Sequence, residues 1–200
     1  MAIRRAVSSL LVAAMCAAAG CSPGISREGK AVLREGTRVE VFRVAPEQPR
    51  SPTAGPKIGR YPVLAQGKDL GANFAARLAD VLIGHPDLEK KCGIQPGVAF
   101  RVWRGDQCVE VLVCFKCDVL AMHLGTGDWD WTSDMLRDFS GSRAKLLALC
   151  KEVLPDDPVI QGLSDVRPKE WSDDPPATQA TTGTKAAAEH IGAPDRGGGK

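Results

Sequence analysis

A chain of 200 residues, 44% of them hydrophobic, has enough apolar side chain for one core, and its length suits a single domain with tails. Its 26 basic and 24 acidic side chains leave a formal charge of +2. So even a balance supplies no long-range field to gather nucleic acid or an anionic lipid surface, and nucleic acid is not expected as a partner.

Read from the start, Met1-Ala2-Ile3-Arg4-Arg5 gives a basic end, Ala6 to Ala19 an apolar run, and Gly20-Cys21 a small residue before a cysteine. The run is too short to span a bilayer comfortably and has the order of a cleaved export signal. Ala18-Ala19-Gly20-Cys21 resembles the lipobox of bacterial lipoproteins. The resemblance covers only the first 21 residues. It implies cleavage after Gly20, a diacylglycerol on the Cys21 sulfur and long acyl chains of the palmitate type. Two or three such chains bury many methylenes at roughly 0.8 kcal/mol each, which holds a protein on a bilayer. It also implies a bacterial cell envelope location, with Ser22, a non-acidic residue, favouring the outer membrane of a two-membrane host. Cys16 lies inside the run and would be lost with it. Removal of Arg4 and Arg5 leaves 24 basic and 24 acidic side chains, so the mature chain is formally neutral.

Residues 21–36 are polar and glycine-bearing, as expected of a lipidated tether. Val39 to Val44 reads as a strand. Four prolines between residues 45 and 60 cannot donate to a ladder and predict a loop. Tyr61 to Leu64 resumes as an edge strand. Phe74, Leu78, Val81 and Leu82 repeat at helical spacing and predict a helix over 71–83, with Asp69 as its N-cap and Gly84 and Pro86 as its stop.

The clearest unit is a central β-hairpin over about 97–115. Val98, Phe100 and Val102 alternate before Gly105-Asp106, and Val109, Val111 and Val113 alternate after it. A two-residue turn there pairs Val102 with Val109, Phe100 with Val111 and Val98 with Val113. On the other face it pairs Trp103 with Cys108, Arg101 with Glu110 and Ala99 with Leu112. Apolar partners fall together and the charged pair has opposite signs, whereas a slip of one residue ruins both matches.

Val119 to Leu124 is compatible with a short strand or a helical turn, and Ser133 to Phe139 with a helical turn. Leu146, Leu147, Cys150, Val153 and Leu154 predict a helix over 142–154, ended by Pro155. Beyond residue 163 the chain is rich in proline, threonine, glycine and charge, and a disordered tail is expected over 164–200. The predicted architecture is therefore α+β: a small antiparallel sheet packed by two helices in one domain over 37–163, after a signal peptide over 1–20.

Chemistry, if any, lies in the cysteines. Cys92, Cys108, Cys114, Cys117 and Cys150 remain after cleavage, an odd number that leaves one thiol over. In an exported domain disulfides are the default. The hairpin register brings Cys92 near Cys114 and Cys117, with Cys92–Cys117 preferred because Cys117 has the nearer partner position. Cys150, on the apolar face of its helix, reads as a packed thiol.

Two alternatives use the same residues. Cys114-Phe115-Lys116-Cys117 has the CxxC spacing of thiol–disulfide oxidoreductases, whose first thiol needs a helix N-terminus behind it. Cys92, Cys114, Cys117 and His123 form a donor set that tetrahedral zinc accepts. Asp128 to Asp134 mixes acids with Trp129 and Trp131, which read as an exposed contact patch or as packing over the sheet. There is no phosphate-binding glycine loop and no Ser-His-Asp arrangement. These readings together predict a lipid-anchored, non-catalytic binding or interaction domain. Its partners are the bilayer, through Cys21, and an envelope protein, and it requires no cofactor.

Overall fold

The computed structural model describes residues 25–48, 54–86, 93–129, 135–168 and 171. An antiparallel sheet, curled into a half-barrel, carries a few helices. Its strands are β1 (Arg38–Val44), β2 (Lys57–Ile58), β3 (Tyr61–Gln66), β4 (Leu70–Gly71), β5 (Val98–Arg104), β6 (Gln107–Cys114), β7 (Val119–Leu124) and β8 (Leu136–Asp138). They lie in the order β2-β3-β1-β5-β6-β7-β8, with β4 also pairing β1. The helices are α1 (Arg27–Arg34), α2 (Ala72–Leu82), α3 (Arg143–Val153) and the short α4 (Pro158–Gln161).

The β5–β6 hairpin has the predicted register pair for pair, from Val98↔Val113 to Arg104↔Gln107. Gly105 sits at φ 57 in its turn, a left-handed conformation that glycine adopts without a steric penalty. One face of the sheet, carrying Val41, Phe100, Val111 and Leu120, packs against the helices through Leu33, Leu78 and Leu146. Burying each such leucine or phenylalanine contributes roughly 1.5–3 kcal/mol. Α2 and α3 thus occupy the segments that helical periodicity marks. Gly84 at φ 94 ends the first of them as expected.

Several expectations need correction. The sheet is larger than the small one predicted, because two-residue strands such as β2 and β4 leave no periodic trace in a sequence. Β3 is not an edge strand: it lies between β2 and β1, pairing with both. The N-cap of α2 is Gly71 rather than Asp69. Pairing of Leu70 and Gly71 with Val39 and Arg38 keeps the chain extended up to the first helical residue. Residues 119–124 are strand β7, and the span expected to make a helical turn before Phe139 contains strand β8.

The tether also ends earlier than predicted. Residues 27–34 form α1, capped by the Ser26 hydroxyl, which accepts from Gly29 N at 3.1 Å. Val32 and Leu33 are fully buried in the core, and Ile25 packs against it. The signal-like segment 1–20, Cys21 and the tail beyond residue 171 lie outside the described residues.

Candidate functional site

The face of the sheet away from the helices is covered by chain segments with little regular structure, and Cys114 and Cys117 lie there, whereas Cys150 sits in the helix-side core. Cys114 ends β6, residues 115–118 turn, and β7 begins at Val119 opposite Cys114. Asp118 adopts φ 57 in this turn, and its carboxylate is held by the Arg143 guanidinium at the start of α3. Both partners are only 3% exposed at the side chain. Arg143 also donates to the Phe115 carbonyl at 2.6 Å and to the Ser164 carbonyl at 3.1 Å. The CxxC motif is therefore wrapped around a hairpin turn pinned to α3. Cys114 ends a strand and is followed by that turn, so the helix N-terminus required by oxidoreductase chemistry is not at this position.

Cys114, Cys108 and Cys150 are free, buried thiols. Cys117, also buried, is not among these free thiols. The Cys117 sulfur is 3.9 Å from the Gly93 carbonyl oxygen, and Gln95 N donates to the Cys114 sulfur at 3.4 Å. Cys92, to which the expected pairing was assigned, falls outside the described residues.

His123 does not join the cysteines. It pairs across the strands with Glu110, while Cys114 pairs with Val119, so four residues of β7 separate the two positions. At about 3.3 Å per residue that is about 13 Å. Its ring stacks on Trp129 instead, with centroids 5.1 Å apart and planes 16° apart. Among the described residues no three His, Cys, Asp or Glu side chains converge as a metal would require.

The remaining thiols are poorly suited to chemistry. Burial, with the Glu110 charge adding to it, pushes Cys108 up to about 12. Burial alone pushes Cys150 far above the usual thiol range, as fits a packed thiol.

At the middle of this face lies a carboxylate that sequence reasoning placed in a cross-strand pair but not in the interior. The Glu110 side chain is 0% exposed. Arg101 Nε donates to its Oε1 at 2.7 Å, Trp129 Nε1 to Oε2 at 2.5 Å, and Gly59 N to Oε2 at 3.3 Å. Arg101 reaches on to the Lys57 carbonyl at 2.9 Å and lies over the Phe42 ring, 5.3 Å from its centroid. Gly59 has φ 54, and a Cβ there would meet the Trp129 ring at 3.2 Å. Trp129 is buried, so of the two readings for this tryptophan it takes the one that packs over the sheet; Trp131 falls outside the described residues. A glutamate alone among apolar neighbours in a strand was the available signal; what covers it comes from segments with no pattern.

A cleft of about 620 Å³ opens between β3–β4 and the end of α3 with the start of α4. Gln66, Lys68 and Leu70 line one side, and Val153, Leu154 and Asp157 the other. Across its base Arg43 Nε donates to Asp157 Oδ2 at 2.6 Å. Arg43 also donates to the Gly97 carbonyl. Burial pushes the Asp157 carboxyl up, but the Ile160 N–H and Arg43 outweigh it and hold the group below the usual carboxylate value. The volume falls within the range of small-molecule sites, and the lining mixes apolar and charged groups as such sites do.

Comparison of the chain with models of known families, with curated proteins and with solved structures finds no significant match.

Proposed function

We propose that this chain is a bacterial envelope lipoprotein, anchored by acylated Cys21, whose domain works as a non-catalytic binding module. The observation that carries the reading is the closeness of fold and anchor. Ile25, four residues after the lipobox-like cysteine, already packs against the core, so cleavage at Gly20 leaves the whole described fold intact. The buried charges support the non-catalytic part. Glu110 and Asp118 are each spent on an arginine that holds segments together, which leaves neither carboxylate poised as an acid or base. The cleft over Arg43 and Asp157 is the surface we assign to the ligand. We assign Cys117 to a disulfide with Cys92, because the neighbouring Gly93 carbonyl lies 3.9 Å from the Cys117 sulfur.

Fractionation of cells tests the anchor. The native chain is expected in the membrane fraction, released by detergent and not by high salt, while Cys21→Ser is not processed to the acylated form. A native chain released by salt alone contradicts the reading.

A further inference from the structure

We propose that the outer face of α1 docks on anionic phospholipid head groups of the leaflet that carries the anchor. The inference rests on the lipoprotein reading above and gives the domain a defined orientation on the membrane.

The chain length sets the distance. Four residue steps separate Cys21 from Ile25, and an extended chain covers at most about 3.6 Å per residue, so Ile25 lies within about 14 Å of the acylated cysteine. Ile25 is fixed to the body of the domain, since its side chain fills the space above Gly29 and packs against the core. The tether is therefore too short to lift α1 far from the surface. At physiological salt a charge acts over roughly 8 Å, so a helix held this near a bilayer senses its head groups.

The charges on α1 are sorted by side. Gly29, Val32 and Leu33 turn inward and are buried. Arg27, Lys30 and Arg34 are exposed and occupy positions i, i+3 and i+7, which form one stripe along a helix. None of the three has an ion-pair partner among the described residues. The two acids of the segment, Glu28 and Glu35, sit one step round the helix and are engaged by the β5–β6 hairpin. Gln107 donates to Glu28, and Arg104 NH1 donates to Glu35 at 2.9 Å. Formal neutrality of the mature chain removes a long-range field but leaves this local basic stripe beside the anchor. A lipid chain combined with basic side chains is the pairing that makes membrane attachment firm.

The test uses the chain from Cys21 to Lys200, alkylated at Cys21 with a single fourteen-carbon chain; Cys108, Cys114 and Cys150 are buried and spared. One such chain gives weak, reversible binding with a constant near ~10⁴ M⁻¹, so an added contribution is readable. Partitioning is measured by co-sedimentation on phosphatidylcholine vesicles and on vesicles with about a third phosphatidylglycerol. At about fivefold per basic residue, binding is expected to be about a hundredfold tighter on the anionic vesicles. The preference should disappear in the triple variant Arg27→Gln, Lys30→Gln, Arg34→Gln and at about 0.5 M salt, where screening is within a few ångströms. These side chains are exposed, so the variant should keep the native unfolding midpoint. Equal partitioning of the unsubstituted chain on both vesicles overturns the proposal, as does a variant that keeps the full preference. Failure of the anchor is separate: native protein unmodified at Cys21 removes the lipid and leaves the vesicle result unchanged.

Discussion

Replacing Glu110 with glutamine keeps the side chain's shape and removes its charge, which isolates what the buried carboxylate does. In the native chain it accepts from Arg101, Trp129 and Gly59 and is wholly enclosed. Breaking a buried ion pair by removing one partner costs about 3–5 kcal/mol, because the other charge stays buried without compensation. Arg101 is 22% exposed and keeps its bond to the Lys57 carbonyl, so water relieves part of that cost. A glutamine oxygen also still accepts from Trp129 or Gly59. The expected loss is therefore about 2–4 kcal/mol, or a fall in melting temperature of roughly 4–16 °C for a domain of this size. Arg101→Met should cost a similar amount for the mirror-image reason, since it leaves the Glu110 charge buried. Urea unfolding of both single variants and the double variant gives the coupling. The double variant should lose at least about 1 kcal/mol less than the sum of the two, because neither charge then remains stranded. Strict additivity, or a loss under about 0.5 kcal/mol for Glu110→Gln, would refute the reasoning.

Gly59→Ala should cost about 1–2 kcal/mol in the same assay, because residue 59 is left-handed and its new Cβ would press on Trp129. Asp157 has a folded-state pKa below its unfolded value, so its stabilisation is complete above about pH 4 and is lost as pH falls through the folded value. Asp157→Asn, which keeps the cap acceptor for Ile160, should lower stability at pH 7 by about 1–2 kcal/mol and flatten the acid limb below pH 4. Thiol titration of the denatured chain should find two more thiols with reductant than without, and Cys117→Ser should abolish that difference. The loop closed by a Cys92–Cys117 bridge predicts a loss of about 3–4 kcal/mol for that variant. Cys114→Ala should cost only about 1 kcal/mol of packing and leave any insulin-reducing activity of the preparation unchanged.

The hairpin was legible because two independent signals, apolar alternation and one opposite-charge pair, agree on a single register and share its local turn. Α2 and α3 were legible because their apolar residues recur over three turns. Α1 was not: its eight residues hold Arg27, Glu28, Lys30 and Arg34, and only Val32 and Leu33 are large and apolar. Its burial is decided by packing on β5 and β6, which lie far away in sequence. The interior position of Glu110 was hidden for the same reason. Cross-strand pairing could be read from two neighbouring strands, but the cover comes from Gly59 and Trp129, on segments without periodicity. Strand β7 carries His123 away from the turn that holds Cys114 and Cys117, a separation that residue spacing alone does not reveal.

Attachment to the envelope depends on Cys21 bearing lipid and beginning the mature chain. Mass spectrometry of the N-terminal peptide of the native, membrane-extracted protein addresses it directly. The expected product is a peptide beginning at Cys21 with a diacylglycerol thioether and further mass from an acylated amine. An unmodified Cys21, or a cytosolic pool that still carries Met1, would contradict it.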